Sequence, residues 1–391
     1  MDTIELFAGG GGLALGLHDA GFNPVAVVER DTDSCDTLRQ NWHRNMGSDF
    51  RLFDNDIRHV DLTRWQDKVE LVSGGPPCQP FSIGGKAQGY RDERDMFPHA
   101  VHVVRTVRPK AFIFENVRGL LRKSFAKYFG YVLLQLQYPE IVRRQGQTWA
   151  EHLTALEEHH TAGTDHGLRY RVVFQKVNAA DYGVPQHRER VIIVGFRWDI
   201  QEPWSFPQPT HSQDALQAAK WINGSYWDEH HIPRARRPLP PPAMGRSLSV
   251  IETLPFCARW RTVRDALVGL PDPQSPQAAC VPNHKFQPGA RKYAGHTGSE
   301  LDWPGKTLKA GDHGVPGGEN MIAFPDGSLR YFTVRESARL QTFPDWYIFP
   351  SSWTESMRQL GNAVPVTLAR VVAASVATTL QEQQRRQTRN Q

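Results

Sequence analysis

Long apolar runs, cysteine clusters and internal repeats are what this chain of 391 residues has little of. No uninterrupted run of about 18 apolar residues occurs, so no segment reads as a membrane span and no membrane partner is expected. The amino terminus passes from Met1 straight into Thr3-Ile4-Glu5-Leu6-Phe7, without the charged region and small-residue cleavage site of a signal peptide, and a cytoplasmic, nucleoid-associated protein is expected. The four cysteines, Cys35, Cys78, Cys257 and Cys280, are too few for a disulfide framework and never take the Cys-x-x-Cys spacing of a zinc site. Free thiols and no metal are therefore expected. An excess of one charge sign is also small: 46 Lys and Arg against 41 Asp and Glu leave +5, which suits a polyanion partner without singling one out. What is present is an ordinary globular share of hydrophobic residues, 39%, enough for one large domain carrying a smaller one.

From residue 1 to about 196, short apolar runs alternate with longer stretches of helical period, the pattern of strand-helix-strand units that build a mainly parallel sheet. Strands are predicted at 3–7, 24–28, 69–72, 110–114, 171–177 and 191–196. Phe112-Ile113-Phe114 and Val191-Ile192-Ile193-Val194 are apolar without alternation, as befits strands covered on both faces. The fold class expected is α/β, a doubly wound sheet that binds ligands at the carboxyl ends of its strands. From about 200 to 330 the periodicity is lost and proline, glycine and tryptophan become frequent, which reads as a second, smaller, loop-rich domain. Helical period returns at 335–342 and from 355 to about 380, where Val366, Ala369, Val372 and Ala373 share one face. The polar tail 381–391 reads as frayed. The division expected is 1–199, 200–345 and 346–391, the last a helical segment returning to the first domain.

Gly9-Gly10-Gly11-Gly12 follows the first predicted strand and opens the first helix, so bare backbone can approach a ligand at a helix amino terminus. Glu29 ends the next strand, where a carboxylate can accept hydrogen bonds from ribose hydroxyls. Together they point to a nucleoside cofactor. Gly9-x-Gly11-x-x-Ala14 also satisfies a dinucleotide fingerprint, so NAD stays open on these residues alone. Asp56 suits an adenine amino group, and equally a helix cap. Gly74-Gly75-Pro76-Pro77-Cys78-Gln79-Pro80-Phe81-Ser82 begins where a strand ends and presents its cysteine on a stiff, contorted turn, where a nucleophile is better placed than a packing thiol. Glu115-Asn116-Val117 brings a carboxyl to the same sheet edge. Gln186-His187-Arg188-Glu189-Arg190 sets two arginines at i and i+2, which point the same way in an extended chain, either into a site or into solvent.

Read in order, these segments, with Glu5-Leu6-Phe7-Ala8-Gly9-x-Gly11-Gly12, Arg335-Glu336-x-Ala338-Arg339-Leu340-Gln341-Thr342-Phe343-Pro344 and Gln359-Leu360-Gly361-Asn362-Ala363-Val364-Pro365, resemble the motif series of the DNA (cytosine-5)-methyltransferases, in their bacterial restriction-modification form. The glycine loop alone is a weak signal, whereas Pro-Pro-Cys-Gln-Pro followed by Glu-Asn-Val is specific. The resemblance spans roughly 1–196 and 331–370, leaving about 200–330 as the variable target-recognition region. It implies a Rossmann-like domain that uses S-adenosylmethionine and releases S-adenosylhomocysteine. Phe7, Ala8, Gly9, Gly11 and Gly12 would line that site, Glu29 hold the ribose, and Asp56 with Ile57 hold the adenine. Pro77, Met96, Asn362 and Val364 would complete it. Arg30 stands where relatives often carry a bulky side chain against the adenine, and Glu5 where Asp is commoner.

The resemblance further implies that Cys78 adds to C6 of a flipped-out cytosine, with Glu115 at the ring N3, Arg190 at O2 and Arg188 beside Cys78 or the neighbouring phosphate. The polar segment 82–95, with Ser82, Lys86, Arg91 and Arg94, would act as a lid meeting phosphates. Arg259, Arg261 and Arg264 are candidates for the DNA backbone, and Lys309 and His313 for a base-reading loop. The partner expected is double-stranded DNA, met by a monomer whose restriction-modification setting calls for a cognate endonuclease encoded nearby. A cytosine-5 RNA methyltransferase on the same scaffold is the alternative, and the length of the variable region favours DNA.

Overall fold

The computed structural model describes residues 1–45, 50–77, 95–163, 167–240, 257–292, 297–310 and 320–389. The chain forms two compact units, each assembled from separate stretches: Met1–Val177, Glu189–Phe206 and Ala369–Gln391 make the first, Asn178–Arg188 and Pro207–Leu368 the second. The second unit thus takes in 346–368, which the sequence reading had grouped with the C-terminal helical segment.

The first unit is built on a seven-stranded sheet of β1 (Asp2–Leu6), β2 (Asn23–Glu29), β3 (Arg51–Asp54), β4 (Leu71–Gly74), β5 (Ala111–Val117), β6 (Tyr170–Asn178) and β7 (Glu189–Arg197), ordered β3-β2-β1-β4-β5-β7-β6. β1 to β5 pair in parallel, and β7 runs antiparallel to β5. Helices α1 (Gly12–Asp19), α2 (Thr32–Asn45), α3 (Phe97–Val107), α4 (Ala126–Gln137) and α5 (Trp149–Ala162) make the crossovers and cover the faces. This is the doubly wound, Rossmann-like architecture, with the strand order turning back between β1 and β4, where such sheets open a ligand crevice. Each strand expected from the sequence is present. β3 is additional: four residues long and half-exposed, it has no apolar run to announce it.

β5 and β7 are buried along nearly their whole length, which accounts for their unbroken apolar sequence. Their register pairs Phe112 with Gly195. A Cβ at residue 195 would lie 2.2 Å from the Phe112 ring, so the packing of that ring against β7 depends on the missing side chain. Ile4, Leu6, Val72, Phe97, Val104, Phe112, Phe114 and Ile193 belong to one continuous core.

The carboxyl-terminal stretch differs from the sequence reading in two ways. Pro365 cannot donate a backbone hydrogen bond, and the predicted helix divides into Trp353–Asn362 and Val366–Arg389. The tail is helical through Arg389 rather than frayed. The Gln383 side chain accepts from the Gln201 amide at 3.0 Å, Arg386 pairs with Glu202 at 3.0 Å, and Trp204 donates to Ser375 at 3.1 Å. By length and composition Trp353–Arg389 is apolar enough to cross a membrane, but 67% of the qualifying window is buried in the protein, as in a core helix.

The second unit is less regular, yet it holds a nine-residue helix, Gln213–Trp221, that the sequence reading missed. Its apolar face joins Tyr226, Trp227 and Trp260 in a small core against which Trp221 and Trp303 pack. The tryptophans that broke the periodicity are the material of that core.

Candidate active site

At the carboxyl ends of β1 and β2 the chain turns through Phe7, Gly9 and Gly11 with φ of 55°, 54° and 82°. Phe7 is held in a conformation that costs a non-glycine residue energy, the kind of strain that collects at ligand sites. The turn delivers the Gly9 N–H to Glu29 Oε2 at 2.7 Å, while the N–H groups of Arg30 and Asp31 reach Oε1 at 2.8 Å each. A carboxylate offers about four acceptor positions, so three backbone donors fix Glu29 and leave about one for an incoming hydroxyl. Phe7, Val28, Glu29, Arg30, Asn55, Asp56, Ile57, Pro77 and Met96 line one pocket. Seven of these nine are residues the sequence had singled out. Val28 and Asn55 were missed, although each adjoins a residue that was named.

Asp56 caps the turn that follows β3 by accepting from the Arg58 N–H. Its carboxylate also binds Arg58 Nε at 2.9 Å, Arg58 Nη2 at 2.8 Å and Arg30 Nη1 at 3.3 Å. The Arg58 guanidinium above all, with Arg30 adding to it, holds Asp56 far below the usual carboxylate range. Arg30 therefore reaches over the pocket as the partner of Asp56.

The second cluster lies where β5 and β7 run side by side. Glu115 is 7% exposed, and its Oε1 sits 2.6 Å from Nε of the buried Arg190. Asn116 Nδ2 donates to the Pro76 carbonyl at 2.9 Å, and a Cβ on Gly75 would come within 3.4 Å of Glu115 Oε2. The Gly75-Pro76-Pro77 turn that leads to Cys78 thus lies directly against the acid. Asn116 is a positioning residue that the sequence reading did not identify. Cys78, Ser82, Lys86, Arg91, Arg94 and His313 lie outside the described residues.

The paired arginines have partners in different units. Arg190 answers Glu115 in the first unit, whereas fully buried Arg188, in the second, donates to the carbonyls of Leu308 at 3.2 Å and Gly361 at 2.6 Å. Those bonds tie the segment at Leu308 to the last turn of the helix Trp353–Asn362 within the second unit. Asn362, exposed, and Val364, buried, also belong to the second unit. Arg259, the candidate for the DNA backbone, has its guanidinium bound by Asp265 at 2.7 Å and Glu229 at 2.8 Å. Asp265 meanwhile closes a capping box with Thr262 and accepts from His230, which makes Arg259 a strut of this unit with its charge already answered. Arg264 is likewise paired with Asp302, at 2.6 Å. Arg261 and Lys309 are exposed.

A family profile described as C-5 cytosine-specific DNA methylase matches residues 1–138 and 160–378. Type II methyltransferase M.PspPI of Psychrobacter sp. is 30% identical over 375 residues, which cover 95% of this chain and 78% of that protein. Type II methyltransferase M.Eco47II of Escherichia coli is 30% identical over 380 residues, covering 96% and 78% respectively. The crystal structure of the S. pombe Dnmt2 methyltransferase superposes with a TM-score of 0.56 at 17% identity, covering 98% of this chain and 99% of that one, which speaks for the fold. An acid held by an arginine beside a Gly-Pro-Pro turn, on a sheet edge with a nucleoside-type pocket, agrees with that match, and the chain belongs to the C-5 cytosine-specific DNA methylase family.

Proposed function

We propose that the chain methylates C5 of cytosine within a specific double-stranded DNA sequence, with Cys78 as nucleophile, Glu115 and Arg190 on the base, and S-adenosylmethionine in the pocket beside Phe7 and Glu29. The observation that carries this reading is the turn before Cys78 resting on Glu115 through Asn116 and Gly75. A target inside a duplex has its C5 and C6 covered by stacking, so the base must be flipped out, at a cost of a few kcal/mol.

Cytosine C5 is a weak nucleophile until something adds at C6. The Cys78 thiolate forms the S–C6 bond as Glu115 shares its proton with N3, and electron density moves to C5. Arg190 holds Glu115 in place and offers its remaining N–H groups to O2. S-adenosylmethionine, when bound, supplies the electrophilic methyl that C5 takes up. Transfer of the C5 proton to water then returns the C–H electron pair to the ring, the S–C6 bond breaks, and Cys78 leaves as thiolate. The pocket fits such a cofactor: Glu29 keeps an acceptor for a ribose hydroxyl, Phe7, Ile57 and Met96 offer apolar surface to a purine, and Asp56 with Asn55 stands at its polar edge.

The second unit is assigned to target recognition, with Arg261 toward phosphates and the Lys309 loop, including His313, toward base edges. The chain acts as a monomer on chromosomal DNA in the cytoplasm, as the protective partner of an endonuclease. Oligonucleotides carrying 5-fluorocytosine, with fluorine where the leaving proton should be, should form a complex with the wild type that survives denaturation. Cys78→Ala should form none, and a Cys78→Ala protein that still methylates at the wild-type rate would rule the covalent route out.

A further inference from the structure

The formal excess of the whole chain is +5, and residues 118–149 hold six basic side chains, Arg118, Arg122, Lys123, Lys127, Arg143 and Arg144, against one acid, Glu140. The excess within this one stretch equals that of the entire chain, and the remainder is balanced. Arg118 is paired with Glu189, and Glu140 with Arg108. The other five basic side chains are exposed and form no ion pair among the described residues. Aromatic packing links Lys127 and Arg143 among them. Lys123, in the turn before α4, and Lys127, in its first turn, are four residues apart; Lys127 Nζ lies 5.8 Å from the Trp149 ring centre, and the Trp149 ring centre lies 5.8 Å from that of Tyr131. Arg143 is within electrostatic reach of both Tyr131 and His152. Like charges at this spacing repel and cost helix stability unless an anion answers them.

Two further observations say which anion. The stretch begins directly after β5, two residues beyond the edge that carries Asn116 and three beyond Glu115, and α4 is tied back to the pocket by the Tyr128 hydroxyl, which donates to Asp95, the neighbour of Met96. In addition, the family profile does not match 139–159, the interval that supplies Arg143, Arg144 and Trp149, so part of this face lies outside what the profile describes.

We infer that Arg122, Lys123, Lys127, Arg143 and Arg144 form a second DNA-contacting face, which binds phosphates flanking the methylated base and reads no sequence. The inference rests on the DNA-methylating reading above. It is tested with the full chain in which Arg122, Lys123, Arg143 and Arg144 are all replaced by Gln, Lys127 being kept for its packing on Trp149. Binding to a duplex of about 30 base pairs is followed from roughly 50 to 200 mM salt, where each phosphate contact contributes about 0.9 to the slope of log K against log salt. The slope should become shallower by about 2 to 4, and KM for plasmid DNA should rise about tenfold or more. The kcat, the KM for S-adenosylmethionine and the set of methylated sites should stay as in the wild type. Should the fourfold variant melt early, Arg143→Gln with Arg144→Gln, both in an exposed loop, should still reduce the slope by about 1 to 2. A wild-type slope and KM in the variants would make this a merely solvated face and overturn the inference, as would a loss confined to binding of RNA. A wild type that transfers no methyl group to plasmid DNA would instead sink the underlying reading, whatever the variants do.

Discussion

At the scale of single residues, Glu5 has an energetic consequence that the motif pattern did not reveal. It is 1% exposed on β1, and burial, with the Glu29 charge adding to it, pushes its pKa up to about 8. Hydrogen bonds from Ser73 Oγ, at 3.0 Å, and from the Ala14 backbone oppose that shift without cancelling it. The folded protein therefore keeps a proton that the unfolded chain releases above its ordinary value of 4.5. Stability is fully present below about pH 4.5 as far as this group is concerned, and falls as pH rises through about 8, with a slope approaching about 1.4 kcal/mol per pH unit. Urea unfolding between pH 5 and 9 should show this decline, and Glu5→Gln should flatten it; an equal slope in the variant would remove Glu5 as its cause. Glu29 and Asp56 were legible from local motifs, acids at or just after a strand end beside a glycine turn, whereas Ile57, Pro77 and Met96 were legible only through the family resemblance. Asn55 and Val28 escaped notice because they contribute shape and carry no motif of their own. The partners of Arg259 were not legible for a different reason: sequence displays a charge but not the carboxylates of Glu229 and Asp265 that meet it through the fold.

Elements were read best where both faces are buried and worst where one short piece packs on another. β5 and β7 announced themselves by unbroken apolar runs, whereas β3 did not, and the helix Gln213–Trp221 was hidden by neighbouring tryptophans that turned out to be its packing partners. The interval from 355 to 380 had the right period and the wrong continuity, because periodicity does not register the donor missing at Pro365. The capping box of Thr262 and Asp265 gives an element-scale test of Arg259. Arg259→Ala leaves Asp265 with less compensation in a largely buried place. Its cost should be about 2 to 4 kcal/mol, somewhat below that of breaking a fully buried pair because 18% of the Arg259 side chain is exposed. The salt slope of DNA binding should not change. A drop of about 1 in that slope with unaltered stability would restore Arg259 as a phosphate contact.

For the whole molecule, the sequence made the α/β class and the family plain, because strand-helix alternation and motif order are properties of the chain itself. The allocation of short segments to units was not legible, since 178–188 and 346–368 join the second unit through contacts made far along the chain. If recognition resides in that unit, exchanging 207–345 for the corresponding interval of a relative with another target should move methylation to the relative's sites. Mapping methylated cytosines in a random plasmid library checks this, and an active hybrid with the original preference would place recognition elsewhere. The interleaving also bears on how the protein is made. β7 and the segment to Phe206 leave the ribosome well before Ala369, with about 160 residues of the other unit in between. At typical synthesis rates that gap lasts roughly 10 to 30 s. Through that interval Trp204 has no Ser375 to donate to and Gln201 has no Gln383, so the segment after β7 waits without the partners that the last helix will bring.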